Sequence, residues 1–349
     1  MTDESREARL QTYVTELQKS HMAPYWDFIQ KVGPAKPPQK CAPVAWSFDR
    51  DIRPHLMEAG SLISAEQAER RVLMLNNPTL PVGSVTHTLC ACFQLILPGE
   101  AARPHRHMQA AFRLIIDGDG AHTTVNGERV VMRFGDLVIT PSWHWHEHAN
   151  DTDHPIVWFD GLDQAMVGYF GANFHESGVG VQLPNARPVD DGLARYGSGL
   201  LPLSGIPQSL SSPVLSYPYE RTRDALQKMR QSNVWDQLHG LKLKHSNPLN
   251  GDYVLPTIAT FAQLLPKGFK SSMAWRATES SVSIILEGRG RTRIEDQTFE
   301  WGPRDIVVTP NWCWTEIEAD DDAIIFNYSD RAALEKLGFW REERRPATP

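Results

Sequence analysis

At 349 residues, with 41% hydrophobic and 22% charged residues, the chain has room for about two globular domains that need no disulfide or metal staples. Lys+Arg (35) against Asp+Glu (42) leaves a net charge of -7, which argues against nucleic acid or an anionic membrane as the main partner. Cys41, Cys90, Cys92 and Cys313 show neither framework spacing nor C-x-x-C pairs, the start lacks a signal layout, and no apolar run is long enough to span a bilayer, so a cytoplasmic protein is expected.

In chain order, Leu10, Tyr13, Val14 and Leu17 recur at helical spacing and predict a first helix. The Pro-rich run from Gly33 to Pro43 then reads as an extended connector. Ser64-Ala-Glu-Gln67 is a capping-box pattern that predicts a second helix through Arg70, Arg71 and Leu73, stopped by Asn77-Pro78. From Thr86 the period changes to short β-rich runs separated by turns such as Pro98-Gly99 and Asn126-Gly127, an antiparallel barrel or sandwich pattern. Residues 166–216 are rich in Gly, Ser and Pro and read as a loop-heavy connector, followed by a helix from about Glu220 to Gln231.

The β pattern returns from about residue 252 to 328 as a second copy of the first. Phe93-Gln-Leu-Ile-Leu-Pro meets Phe261-Ala-Gln-Leu-Leu-Pro, and Leu114-Ile-Ile-Asp-Gly-Asp-Gly meets Ile284-Ile-Leu-Glu-Gly-Arg-Gly. Gly135-Asp-Leu-Val-Ile-Thr-Pro-Ser-Trp-His-Trp meets Arg304-Asp-Ile-Val-Val-Thr-Pro-Asn-Trp-Cys-Trp, with the offset always between 168 and 170. The expected organisation is an arm over residues 1–80, a catalytic barrel over 81–165, a connector over 166–250 and a second barrel over 251–349.

Histidine is unevenly spread: seven of the 13 fall within residues 105–154, where even scattering would place about two. On strands, His105 and His107 point one way together, and so do His146 and His148. If the strands are neighbours, three or four imidazoles converge, a donor set suited to Fe, Zn, Cu or Ni. His122, His144 and His154 read as bystanders, Trp143 and Trp145 as core or pocket wall, and Cys90 and Cys92 as small apolar lining.

The frames Gly99-x5-His105-x-His107…Gly118 and Gly135-x5-Pro141…His146-x3-Asn150 resemble the two motifs of the cupin superfamily. Two departures stand out: Trp143 replaces the usual Gly of the second motif, and Ala111 and Phe112 stand where the first has Glu. The resemblance implies His105, His107 and His146 as ligands, without a carboxylate. Three neutral imidazoles leave the full +2 charge of a divalent iron uncancelled. A substrate chelating through carboxylate and ortho phenolate would balance it and leave a position for dioxygen.

The segments His105-Arg-His-Met-Gln-Ala-Ala-Phe-Arg-Leu-Ile-Ile116, Gly135 to Asn150, Glu69-Arg-Arg-Val-Leu-Met-Leu75, Gln18 to Trp26, Phe261 to Pro266 and Leu337 to Glu342 resemble the gentisate 1,2-dioxygenase family, across nearly the whole chain. That resemblance implies a mainly β bicupin: two tandem antiparallel double-stranded β-helix (jelly-roll) barrels with an N-terminal helical arm. It implies a ring-cleaving dioxygenase with one Fe(II) per subunit, typically a homotetramer. Such an enzyme inserts both atoms of O2 between the carboxyl- and hydroxyl-bearing carbons of gentisate or a related, for example 5-substituted, salicylate. Arg113, placed on the parity of the two histidines, would pair with the substrate carboxylate, and one of Arg70 and Arg71 would join it. His148 would hydrogen-bond a phenolate or bound oxygen, or act as acid and base, and Gln94 and Asp160 match hydrogen-bonding positions of the pocket.

In the second copy Trp275, Ala277, Thr315 and Ile317 stand at the positions of His105, His107, His146 and His148, so it is expected to hold no metal. Met108, Ala111 and Ala149 are pocket changes that could mark a substituted salicylate over gentisate. The competing readings are a Zn or Mn cupin isomerase or hydrolase, which would work without O2, and a non-enzymatic cupin that binds aromatic acids.

Overall fold

The computed structural model describes residues 3–180 and 182–348. It falls into two units, one ending at Pro38 and one beginning at Gln39. The first holds the predicted helix, Asp3–Lys19, and a short helix, Ile29–Val32. Among the described residues no helix is long and apolar enough to cross a membrane.

The second unit is built of strands. The first is β1 (Val44–Trp46), and the helix Arg53–Leu62 follows it. The first barrel takes β2 (Arg71–Met74), β3 (Cys90–Ile96), β4 (Ala101–His107), β5 (Ala111–Asp117), β6 (His122–Val125), β7 (Glu128–Val131), β8 (Leu137–Thr140), β9 (His146–Ala149) and β10 (Ile156–Leu162). The connector adds β11 (His175–Ser177) and β12 (Ser216–Tyr217). The second barrel takes β13 (Leu241–Lys244), β14 (Ala259–Leu265), β15 (Met273–Ala277), β16 (Ser281–Glu287), β17 (Gly290–Ile294), β18 (Gln297–Trp301), β19 (Ile306–Thr309), β20 (Thr315–Ala319) and β21 (Ala323–Ser329), with β22 (Glu342–Pro346) at its edge.

The duplication is visible as topology. The larger sheet of the first barrel runs β12-β8-β5-β10-β3-β2, and that of the second runs β1-β19-β16-β21-β14-β13, the same order with an outer strand borrowed from elsewhere. The smaller sheets, β11-β4-β9-β6-β7 and β18-β17-β20-β15-β22, correspond in the same way. Backbone exceptions recur at the repeat offset too. Gly135 (φ 77°) matches Arg304 (φ 72°), and Trp143 (φ 60°) matches Trp312 (φ 59°). Trp143 thus keeps the left-handed backbone that explains the motif's usual glycine, and Arg106 lies over its ring as Arg276 lies over Trp312. Asn126 and Gly127, both at positive φ, close the two-residue hairpin between β6 and β7.

The two larger sheets face each other across one continuous apolar core. Phe112 and Phe159 of the first barrel meet Phe326 and Tyr328 of the second, with the Phe112 and Tyr328 ring centroids 4.8 Å apart. Gly161 is required there, because a Cβ would come within 2.2 Å of the Phe112 ring. Alternate residues of the same strands turn the other way, into each barrel.

Two sequence expectations change. The capping box forms at Ser64, but its helix is only Ala65–Ala68; Glu69 turns to φ 53°, and Arg71 starts β2 against β3. Pairing with a buried strand outweighs the local helical pattern. The connector is less irregular than expected, with helices Gln164–Tyr169 and Asp191–Tyr196 besides its two strands, and the helix expected from Glu220 runs Tyr219–Arg230.

Polar contacts also cross the seam. Asp330, fully buried, accepts from the Thr88 hydroxyl at 2.6 Å and the Ser280 amide at 3.0 Å, and burial raises its pKa from 3.8 to about 7. The folded chain holds this proton up to about pH 7, whereas the unfolded chain releases it near 3.8, so the contribution of Asp330 to stability falls as pH rises through that window. Asp330→Asn, which does not titrate, is expected to gain Tm relative to the parent between pH 5 and pH 8; a difference that stays constant with pH would contradict this account.

Candidate metal centre

β4 and β9 are neighbours, with His105 opposite His146. The alternation of the strands turns His105, His107, His146 and His148 into the barrel. Ring centroids lie 4.1 Å apart for His105 and His146 and 4.9 Å for His107 and His146. One nitrogen from each of these three residues lies within 4.8 Å of the other two, and no other such group of His, Cys and carboxylate side chains occurs among the described residues. His148 stands just outside the group, its ring 5.7 Å from that of His146.

Each of the three rings is oriented by a backbone carbonyl two residues away. Nδ1 of His105 lies 3.1 Å from the Arg103 oxygen, Nδ1 of His107 lies 2.9 Å from that of Gln109, and Nδ1 of His146 lies 2.9 Å from that of His144. A carbonyl only accepts, so the proton sits on Nδ1 and each Nε2 keeps its lone pair. His146 Nε2 is buried without a hydrogen-bond partner, an expense that a metal ion would remove. Burial is also the main reason these imidazoles stay neutral: it lowers the pKa of His107 to about 4 and those of His105, His146 and His148 as well. Three neutral nitrogen donors, pre-aimed and without a carboxylate, fit a divalent transition metal and leave its charge uncancelled.

Cations surround the group. Arg113 does not share a strand with the histidines, as its parity had suggested, because residues 108–110 break the run and β5 belongs to the opposite sheet. It is nevertheless buried inside the barrel, donating to the Thr140 hydroxyl at 2.6 Å, with its Nε 3.4 Å from Asp160. Asp160 also accepts from the Trp158 indole at 2.9 Å; burial raises its carboxyl pKa, with Arg113 opposing. Of the two neighbouring arginines, only Arg70 lies against the histidine group. Arg70 Nη1 lies 2.5 Å from His105 Nε2, whereas Arg71 is buried on the other side of β2, paired with Glu100 and donating to the Ile63 carbonyl at 2.6 Å. As the first residue of a strand, Arg71 is turned inward and buried. A cavity of about 100 Å³ opens beside His105, lined by Arg70, Arg103 and His175.

A family described as the cupin domain matches residues 92–162, which hold every histidine of this group. Gentisate 1,2 dioxygenase 1 of Aquipseudomonas alcaligenes is 48% identical over 95% of each chain, and 5-aminosalicylate 1,2-dioxygenase of a Comamonas species is 36% identical over 94% of this chain and 88% of the relative. The crystal structure of salicylate 1,2-dioxygenase from Pseudoaminobacter salicylatoxidans with gentisate superposes with a TM-score of 0.90 at 29% identity, covering 97% of this chain and 94% of that one. The chain belongs to the gentisate and salicylate 1,2-dioxygenase family. Members of this family are ring-cleaving dioxygenases, and the bicupin architecture read from the sequence is the one observed.

Other residues stand around this histidine group. Gln94 is buried on β3 opposite Trp158, and Cys92 lies beside Asp160, its thiol 3.8 Å from the Asp160 carbonyl. All four cysteines are free. His122, His144 and His154 stay out of the metal group; His122 faces Asp151 at 3.6 Å and His154 faces Asp153. Two neighbours of the site had no local signal. His175, on β11 opposite His107, stacks on the His105 ring at 5.8 Å, and Trp158 stands edge-on to His148 at 5.4 Å.

If the triad is the ligand set, His107→Ala removes a ligand and weakens metal retention by more than the roughly 10–100-fold of typical outer-shell changes. The Tm of the chelator-treated chain should be unaffected. Metal analysis after desalting checks this, and full metal retention by the variant would contradict the assignment.

Proposed function

We propose that this chain is an Fe(II)-dependent dioxygenase that opens the ring of gentisate or a 5-substituted salicylate between the carboxyl- and hydroxyl-bearing carbons. The observation that carries the reading is the neutral three-histidine set, without a carboxylate, faced by Arg113 and Arg70. A site with this charge favours a ligand that brings two anionic oxygens, as a 2-hydroxybenzoate does. The relatives named for gentisate and 5-aminosalicylate support the same substrate class. Iron, when bound by His105, His107 and His146, supplies the redox chemistry through which dioxygen reacts with the ring. One ion per subunit follows from the second barrel, whose matching positions are Trp275, Ala277 and Thr315.

The remaining steps belong to side chains. Arg113 binds the substrate carboxylate, oriented by Asp160 and Thr140, and its planar fork matches that group better than a lysine would. Arg70, now hydrogen-bonded to His105 Nε2, gives up that contact when the nitrogen takes a metal and turns its guanidinium to the anionic substrate. His148 is buried and neutral, and its Nδ1 lacks a partner, so it is placed to take the proton of the substrate hydroxyl and return it later. Gln94 offers its amide from the opposite strand. The enclosing barrel excludes bulk water, which strengthens each of these contacts. A homo-oligomer working in the cytoplasm completes the proposal.

The test is oxygen consumption. Protein loaded anaerobically with Fe(II) and given gentisate, salicylate or 5-substituted salicylates should take up one O2 per acid consumed, and chelation should stop it. If no aromatic acid triggers uptake by iron-replete protein, the reading fails. Arg113→Met is expected to lower kcat/KM by about 100-fold, the scale of losing a charge-assisted pair, with Arg113→Lys recovering only part.

A further inference from the structure

The second barrel keeps a cavity where the first has its metal centre. It measures about 60 Å³, and its walls occupy corresponding strand positions. By strand pairing, Gln263 opposite Ile325 stands for Gln94 opposite Trp158, one residue off the sequence match that sets Phe93 on Phe261, and Thr309 stands for Thr140. In the first barrel Arg113 lies opposite Asp160; in the second Ser283 lies opposite Asn327. The charged pair is thus replaced by a neutral one, with the Ser283 hydroxyl donating to Asn327 at 2.8 Å, Asn327 to Gln263 at 3.2 Å, and Gln263 to the His239 carbonyl at 3.0 Å. The metal ligands and the central charged pair are gone, and the Glu316 carboxylate at the wall is held by Arg293, but a connected polar lining remains.

One new charge has entered. Lys242 of β13 lies opposite Gln263 as Val72 of β2 lies opposite Gln94, so an ammonium stands where the first barrel has an isopropyl group. It lines the same cavity as His239. Among the described residues no carboxylate lies within ion-pair distance of Lys242; its ammonium rests over the face of Phe261, at 4.9 Å, and Glu279 and Asp236 act on it only from further away. Burial is the first cause of the lowered pKa of both Lys242 and His239, and for His239 the neighbouring Lys242 charge comes second. Those carboxylates offset burial only in part, and a largely desolvated ammonium without a close partner is costly unless an anion completes it. At 10–15 Å³ per water-sized group, the space holds about four such groups, too few for an aromatic ring.

We propose that the second barrel binds a small oxyanion of about four heavy atoms, a short carboxylate or bicarbonate, between Lys242 and His239 on the Gln263–Asn327–Ser283 network. Duplication would then have left two binding cavities, one using a metal and the other an ammonium. The proposal does not depend on the reaction of the first barrel.

The probes are acetate and bicarbonate, with acetamide as the uncharged counterpart of acetate, each titrated into the full iron-free chain at constant ionic strength while Tm is followed. A saturable rise with acetate or with bicarbonate, absent with acetamide, is expected, and whichever anion acts identifies the source. The rise should be lost in Lys242→Met and kept in His146→Ala, while Lys242→Met leaves kcat/KM for the aromatic acid unchanged. Should Lys242→Met not fold, His239→Gln is expected to weaken the same response. No saturable rise with either anion, an equal rise with acetamide, or a rise that survives in Lys242→Met or disappears in His146→Ala would each overturn the proposal.

Discussion

The constraint on which the rest of this structure depends is charge inside the first barrel. Three imidazoles, two buried and one half-buried, stay neutral because they are taken from water, and each is turned by a backbone carbonyl so that its lone pair faces inward. Arg113 and Arg70 stand beside them, with Asp160 the carboxylate in contact with Arg113. Adding a divalent ion makes the cavity more positive still. On the proposed reading, electrical balance arrives with the substrate, and an acid that chelates through two anionic oxygens would provide it. On that reading, selection of the substrate and construction of the metal site are one physical problem.

The fold serves that arrangement. Facing the two larger sheets against one another buries Phe112, Phe159, Phe326 and Tyr328 in a shared core, and it fixes β5 and β10, the strands that carry Arg113 and Asp160. Gly161, directly after Asp160, lets the Phe112 ring close over the strand. The second barrel thus braces the first even though it holds none of the ligands.

Much of this was legible in the sequence, for identifiable reasons. The H-x-H pairs could be read because strand alternation is local, and the duplication because the repeat offset barely drifts. What local reasoning missed was set by distant contacts. Ser64 to Gln67 forms a genuine capping box, yet Glu69 breaks the helix and β3 recruits Arg71 into a strand. That single change separates Arg70 from Arg71 and resolves which one faces the triad. Arg113 was placed in the site by a parity argument that does not hold, since it reaches the cavity from the opposite sheet. His175 comes to His105 through pairing across a connector with no clear period, so nothing near it in sequence announced it. Trp143 departed from the motif in side chain only; its backbone kept the conformation.

The claim that the cavity demands an anionic partner is tested most directly by comparing an acid with its ester. Binding of salicylate and of methyl salicylate to the anaerobic Fe(II)-loaded protein would be measured side by side. The account predicts that the acid binds about 100-fold more tightly, because the ester loses the charge that Arg113 and the metal both require. Equal affinities would contradict it.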